Sequence, residues 1–293
     1  MDHKVFKSSD TNVSKFVFEA KDIAVEAVLY RYNSYKERTV ICCSTQSGCP
    51  VGCAFCGTGR FFVRNLTASE IVEQIETVLQ YIDCEPTEIK KFQLMFMSMG
   101  EPFLNYKALK SAIEQLSVMY PNAQLLVSTS APKRITENFD DFIELSKRIK
   151  NVGIQFSVHE STDGRRKMLI PTATTQLHEI GLLGEKWAAA TGRQPFFNYC
   201  VHAGNSTEEN VRQLLEHFNP DLWQCTLSVI CQKDSTMKAA IEAQLDLIGG
   251  FSKIMMNAGY SLRVFNPAGQ DDIGGGCGQL WYFQEWLKRR KQR

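Results

Sequence analysis

The chain has 293 residues, 44% hydrophobic and 22% charged, with a formal net charge of +1; that balance excludes a disordered or fibrous protein, and it offers no general electrostatic grip on nucleic acid. There is no run of 18 apolar residues and no signal-peptide pattern at Met1-Asp-His-Lys-Val-Phe-Lys7, so a cytoplasmic protein without membrane association is expected. Ten cysteines in a chain of this length suit reduced thiols and metal chemistry better than the disulfide framework of a small secreted domain.

Residues 4–32 alternate apolar and polar in short runs, as in Val13-Ser-Lys-Phe-Val-Phe18 and Ala24-Val-Glu-Ala-Val-Leu-Tyr30. That period of two, with Lys21-Asp22 between the runs, predicts an antiparallel hairpin ahead of the main fold. Arg38-Thr-Val-Ile-Cys-Cys43 is the first core strand. Strands and helices then alternate, with strands at 92–97, 124–129, 153–159, 195–201, 223–230 and 260–265. Helices are predicted at 71–81, 106–119, 140–149, 176–190, 207–218, 237–258 and 279–288, the first opened by the capping box Thr67-Ala-Ser-Glu70. Serial βα units imply a parallel sheet with right-handed crossovers. The expectation is an α/β fold, a partial TIM-like (β/α)6 barrel, in one domain spanning 1–293. Residues 1–37 would form its hairpin extension and 38–293 the barrel and a C-terminal helix. Function then belongs at the carboxyl ends of the strands.

The first core strand runs into Cys49-Pro-Val-Gly-Cys53-Ala-Phe-Cys56, flanked by Gly48, Gly57 and Gly59. Three thiols spaced x3 then x2 converge only on a tight loop, which Gly and Pro supply. Three thiolates, with no fourth Cys or His in the loop, suit an iron–sulfur cluster with one iron left open, whereas structural zinc wants four ligands. Other strand ends carry chemistry too: Met97-Ser-Met-Gly100-Glu101-Pro102, Ser128-Thr-Ser130 and Ser157-Val-His159. Taken alone, each of the last two reads equally well as satisfied strand-end packing. Asp271-Asp-Ile-Gly-Gly-Gly-Cys277-Gly-Gln-Leu280 places a thiol on a glycine-rich backbone with nothing apolar to bury it, as a reactive cysteine requires. Cys42 is a candidate partner for it. Cys43 points to the opposite strand face and reads as packing, as do Cys84, Cys200 and Cys225. The basic tail, Lys288-Arg-Arg-Lys-Gln-Arg293, reads either as a phosphate grip or as a solvated helix end.

The CxxxCxxC loop resembles that of the radical S-adenosylmethionine (SAM) superfamily. The whole set of segments, from Glu26-Ala-Val through Cys42, Gln46-Ser-Gly-Cys49, Met99-Gly-Glu-Pro-Phe-Leu-Asn105 and Ser157-Val-His159 to Asp271-Asp-Ile and Cys277-Gly-Gln-Leu, is similar to the RlmN/Cfr family. Those enzymes methylate carbon 2 or carbon 8 of an RNA adenine. The resemblance implies a [4Fe–4S] cluster on Cys49, Cys53 and Cys56, and SAM contacts from Gly100, Glu101, Ser128, Ser157, Val158 and His159. It implies that Cys277 carries a methyl group to the substrate, that Glu26 accepts the ring proton, and that Cys42 resolves the covalent adduct as a Cys42–Cys277 disulfide. The partners it implies are ribosomal or transfer RNA and a reductant such as flavodoxin or ferredoxin, with a monomeric enzyme expected. Two departures stand out. The family's N-terminal accessory domain has no counterpart ahead of the hairpin, and Cys231 falls where the family has an Asn that contacts SAM. Two further readings therefore stay open: the same chemistry on a small heteroaromatic or peptide substrate, and a member that binds a cluster or RNA without turnover.

Overall fold

A computed structural model describes residues 1–20, 22–59, 61–229 and 237–265, together with Ile273, Gly274, Tyr282, Trp286 and Arg289. Its frame is a ten-stranded sheet. Strands β1 (Asp2–Lys7), β2 (Val13–Glu19), β3 (Ala24–Tyr32) and β4 (Ser34–Cys43) form an antiparallel meander. The expected hairpin is present at β2–β3 and is extended by a strand on either side. From β4 the sheet continues in parallel through β7 (Lys91–Phe96), β8 (Gln124–Thr129), β9 (Val152–Ser157), β10 (Phe196–Cys200), β11 (Gln224–Ser228) and β12 (Ser261–Phe265). The short pair β5 (Gln46–Gly48) and β6 (Phe62–Asn65) stands apart and frames the cysteine loop.

Helices α1 (Ala68–Leu79), α2 (Tyr106–Met119), α3 (Phe139–Arg148), α5 (Leu177–Thr191), α6 (Glu208–Leu215) and α7 (Met237–Asn257) cross between successive parallel strands. This is the predicted α/β partial barrel. The predicted capping box at Thr67 and Glu70 is formed. Helix α4 (Asp163–Leu169) was not anticipated; at seven residues it is too short for a periodic apolar stripe. Among the described residues no helix is long and apolar enough to cross a membrane.

Alternation along the strands sorts side chains into two layers. Ile41, Cys43, Leu94 and Phe96 pack against the helices, while Val28, Tyr30, Val40, Cys42 and Met95 form a second apolar cluster on the other face, in the barrel lumen. The opposed placement of Cys42 and Cys43 follows from the strand's period of two. Tyr30 of β3 and Phe265 of β12 meet edge to face at 6.0 Å, bringing the antiparallel meander and the last parallel strand together across the lumen. Of the predicted final helix, Tyr282 and Trp286 are helical, as is Arg289 one residue past its expected end. Arg289 bonds Glu19 at 3.2 Å, so this member of the basic tail is anchored on the meander.

Helix α5 packs on β11 through a glycine. A Cβ built on Gly184 would stand 2.0 Å from Cζ2 of Trp223, an indole fully buried against Phe156, Phe197 and Phe218. Gly249 on α7 has open space around it. Gly184→Ala is therefore expected to lose about 1–3 kcal/mol to overpacking, offset to some extent by helix propensity. Gly249→Ala should gain up to about 1 kcal/mol. Urea denaturation of both variants checks this; equal midpoints would contradict the packing account.

Candidate active site

The cysteine loop is held by its backbone. Gly48 has φ +78°, and a Cβ there would lie 1.9 Å from the Phe61 carbonyl oxygen, so only glycine lets β5 and β6 close. The Cys49 N–H donates to Phe61 O at 2.6 Å, Cys56 N–H to Cys53 O at 3.1 Å and Gly59 N–H to Cys56 O at 2.9 Å. Outside contacts fix the loop: Ala54 N–H donates to Leu169 O at 2.8 Å, and the Thr172 hydroxyl to Val51 O at 2.5 Å.

The Gly100-Glu-Pro-Phe-Leu-Asn105 turn is bolted to this loop. Gly100 takes φ +97° against the Gln46 side chain, which accepts from the Glu101 N–H at 2.8 Å. Asn105 donates to the carbonyls of Thr45 and Leu66 at 2.7 and 2.8 Å. The buried Glu101 carboxylate accepts from Phe103 N–H and the Thr129 hydroxyl on one oxygen, and from Ser130 N–H and hydroxyl on the other, at 2.5–3.1 Å. Burial raises its pKa above the ordinary carboxylate value, while these four donors work the other way.

Cys49, Cys53 and Cys56 line one cavity with Gly100, Glu101, Ser128, Ser157 and His159. Eight predicted residues, from four separate strand ends, thus meet. His159 takes φ +64°, is buried, packs edge-on against Phe55 at 5.2 Å, and its Nδ1 has no hydrogen-bond partner. Burial, helped by the Arg166 guanidinium, holds its pKa down at about 3, so it is neutral at physiological pH. Burial pushes the Cys49 thiol up to about 12, with Cys56 and Glu101 adding to the rise. A thiol so placed ionises only against a bound cation.

Three predicted residues stand elsewhere. Val158 is fully buried in the helix-facing core. Cys42 does not line this cavity but is buried 3.9 Å from the sulfur of Met95, which does. Glu26 is on the same face of β3 as Val28, whose register partner is Cys42. Its carboxylate is buried and paired with Lys15 at 3.1 Å, and its carbonyl accepts from Ser44 and Ser98 at 2.7 and 2.6 Å. Cys277 and Cys231 lie outside the described residues. Ile273, four residues before Cys277, packs against the cluster that contains Cys42.

Sequence reasoning passed over several wall residues. Cys200, expected to be packing, lines the cavity with Asn198 and Ser228, and Ser228 donates to Asn198 Oδ1 at 2.8 Å. Strand-end parity was the available signal, since Asn198 and Cys200 share a face. Arg166, buried on α4, donates to Ser130 O at 2.6 Å and Ser157 O at 3.1 Å, stitching the ends of β8 and β9. It gave no signal because its helix gave none.

Among the described residues, no three His, Cys, Asp or Glu side chains are gathered at a single metal-binding point. The three thiols instead surround a cavity. That donor set, with the neutral His159 and its unpartnered nitrogen in the same wall, fits a cluster with an open iron and a polar small molecule beside it.

No family profile matches the chain. A solved radical SAM methyltransferase from Sphaerobacter thermophilus superposes with a TM-score of 0.74 at 25% identity, covering 94% of this chain and 79% of that one. Streptococcus suis SuiB shares the fold at a TM-score of 0.52 and 10% identity, over 77% of this chain and 48% of that one. The barrel is that of a radical SAM methyltransferase, a class that implies SAM and a [4Fe–4S] cluster. The probable dual-specificity RNA methyltransferase RlmN of Thermus thermophilus is 30% identical over 302 residues, 94% of this chain and 76% of that protein. The ribosomal RNA large subunit methyltransferase N of Nitrosopumilus maritimus is 29% identical over 290 residues, 95% of this chain and 79% of its own. The chain belongs to the RlmN/Cfr family.

His159 gives the site a pH signature. Its folded pKa of about 3 lies below the ordinary histidine value of 6.5, so the unfolded chain binds a proton that the native state refuses. The stability it contributes is whole above pH 6.5 and falls as pH drops towards 3, by about 2 kcal/mol between pH 6.5 and 5. His159→Gln should flatten that section of the profile measured by urea denaturation. Parallel wild-type and variant profiles would refute the assignment.

Proposed function

We propose that the protein methylates a ring carbon of an adenine, carbon 2 or carbon 8, in ribosomal or transfer RNA, by way of a methyl group carried on Cys277. The observation that carries this reading is that Ile273, in the segment leading to Cys277, packs into the same apolar cluster as Cys42. Ile273 stands only four residues before Cys277, and the cluster it packs against shares Met95 and Val40 with the cavity lined by Cys49, Cys53 and Cys56. The names of the Thermus and Nitrosopumilus relatives support RNA as the substrate class.

Bound SAM and a reduced cluster would supply a methyl group and a hydrogen-abstracting radical; the rest falls to the chain. Cys49, Cys53 and Cys56 hold the cluster, with a flavodoxin or ferredoxin as electron source. Gly100, Glu101, Ser128, Ser157 and His159 form the SAM-binding shell, and Val158, its side chain buried in the helix-facing core, anchors the backbone between the last two. Within it the saturated Glu101 carboxylate positions the β7 and β8 ends, and His159 offers its free nitrogen. Cys277, on glycine-rich backbone, moves its sulfur between methyl donor and substrate. Glu26 accepts the proton released from the ring, with Lys15 offsetting the charge of a buried carboxylate. Cys42 attacks the Cys277 sulfur, releasing product as the two sulfurs join.

Two experiments test this. Protein reconstituted without oxygen should hold about four irons per chain and cleave SAM under reduction, and Cys53→Ala should lose both; full cleavage by that variant would end the radical SAM assignment of the loop. Intact-protein mass spectrometry should find a methyl group on wild-type Cys277. In Cys42→Ala a covalent enzyme–substrate species should accumulate, because nothing resolves it. Product formation with Cys277 unmodified would overturn the methyl-cysteine route. An RNA fraction that gains no methyladenine would move the same chemistry to a small heteroaromatic or peptide substrate.

A further inference from the structure

Lys15 on β2 keeps a charged side chain inside the protein. It is 3% exposed, and its Nζ lies 3.1 Å from Oε2 of the fully buried Glu26 on β3. The same Nζ lies over the Phe6 ring, 5.9 Å from its centroid. An apolar pair of similar volume is often as stable as a buried ion pair, or more so, and packing alone therefore gives no reason for these two charges.

The strand register shows where the pair stands. Phe6, Lys15, Val28, Cys42 and Met95 are successive partners across β1, β2, β3, β4 and β7, one row on the sheet face that carries Cys42. Lys15 is the one charged member of that row. Glu26 lies two residues from Val28 on the same face and is the diagonal neighbour of Cys42, a spacing of about 7–8 Å. Its carbonyl accepts from the Ser98 hydroxyl at 2.6 Å, and both Ser98 and Met95 line the cavity of the cysteine loop. Described residues on either side of Cys277 in the sequence meet the two ends of the row. Ile273 packs against the cluster of Cys42 and Met95, and the Tyr282 ring lies 5.9 Å from that of Phe6.

We infer that Lys15 is a positioning residue of the reaction, one that acts through Glu26 on the removal of the proton from the substrate's ring carbon. The inference rests on Glu26 being the proton acceptor of the proposed methylation. In that step the ring C–H bond breaks, the proton passes to a Glu26 carboxylate oxygen, and the bonding electron pair stays with the substrate. An isolated buried carboxyl takes its neutral form, which has no room for a further proton. The ammonium at 3.1 Å keeps Glu26 ionised in a wall that excludes water, and it fixes where the carboxylate points.

Single-turnover methylation tests this, with in vitro transcripts of ribosomal and transfer RNA carrying either hydrogen or deuterium at carbons 2 and 8 of adenine. In Lys15→Met, methyladenine should form about 100-fold more slowly than in the wild type, as when a positioned base is lost. Intact-protein mass spectrometry should find the covalent enzyme–RNA species accumulating although Cys42 is present, and its decay should be slower still with deuterium. Wild-type rates in Lys15→Met, or a slow decay that ignores deuterium, overturn the inference. If Lys15→Met fails to fold, Glu26→Gln is compared with the double variant Lys15→Met/Glu26→Gln, which leaves no buried charge unpaired. Equal rates for the two support action through Glu26 alone, and a further slowing in the double variant overturns it. A wild type that makes no methyladenine from either transcript ends the proposed reaction itself, and the role of Lys15 with it.

Discussion

A buried carboxylate, that of Glu101, joins the elements that make the site. Its two oxygens accept from the turn after β7 and from the end of β8, while its own N–H is held by Gln46 beside the cysteine loop. Removing a charge from water is costly, and four donors aimed at the two oxygens are what make this one tolerable. Because those donors come from two separate stretches of chain, the carboxylate fixes their mutual positions. The cysteine loop inherits its place from them.

Arg166 has the complementary role at the next strand, donating to the carbonyls at the ends of β8 and β9. An acidic and a basic buried group thus follow one another around the rim, each held by hydrogen bonds to backbone and hydroxyl groups around it rather than by the other. Burial pushes the Arg166 pKa down to about 10, still well above physiological pH, so its charge persists there without a salt bridge to Glu101. Such a rim is rigid where a cofactor must be oriented. It leaves His159 neutral, in a left-handed conformation, with one nitrogen available.

Below the rim the lumen changes character. Cys42, Met95, Val40 and Tyr30 make an apolar stretch of the lumen, of which Val40 and Met95 also line the cavity, and beyond them the wall turns to glutamine, lysine and arginine. Both layers arise from the same strands. Each inward position from the carboxyl end to the amino end meets a different environment, so a strand such as β4 carries Cys42, Val40 and Arg38 in succession on one face.

The fold was legible because its signals are local. Alternation, capping residues and strand–helix spacing placed six of the crossing helices and all seven parallel strands, and helix α2 begins and ends where the pattern predicts. The cysteine loop and the Gly100-Glu101 turn were legible because spacing and glycine content state their chemistry directly. Their meeting with Ser128, Ser157 and His159 follows from the barrel, which brings strand ends together. Arg166, Asn198 and Cys200 were not legible: α4 is too short to show a period, and whether a strand-end polar group faces a cavity or a neighbour depends on sheet curvature. The same holds for Glu26, whose pairing with Lys15 needs the register of β2 against β3. The sequence alone determined which residue types could do chemistry and in what order they occur. Only the tertiary structure decided which of them share a wall, because that depends on how far the sheet twists before Tyr30 meets Phe265.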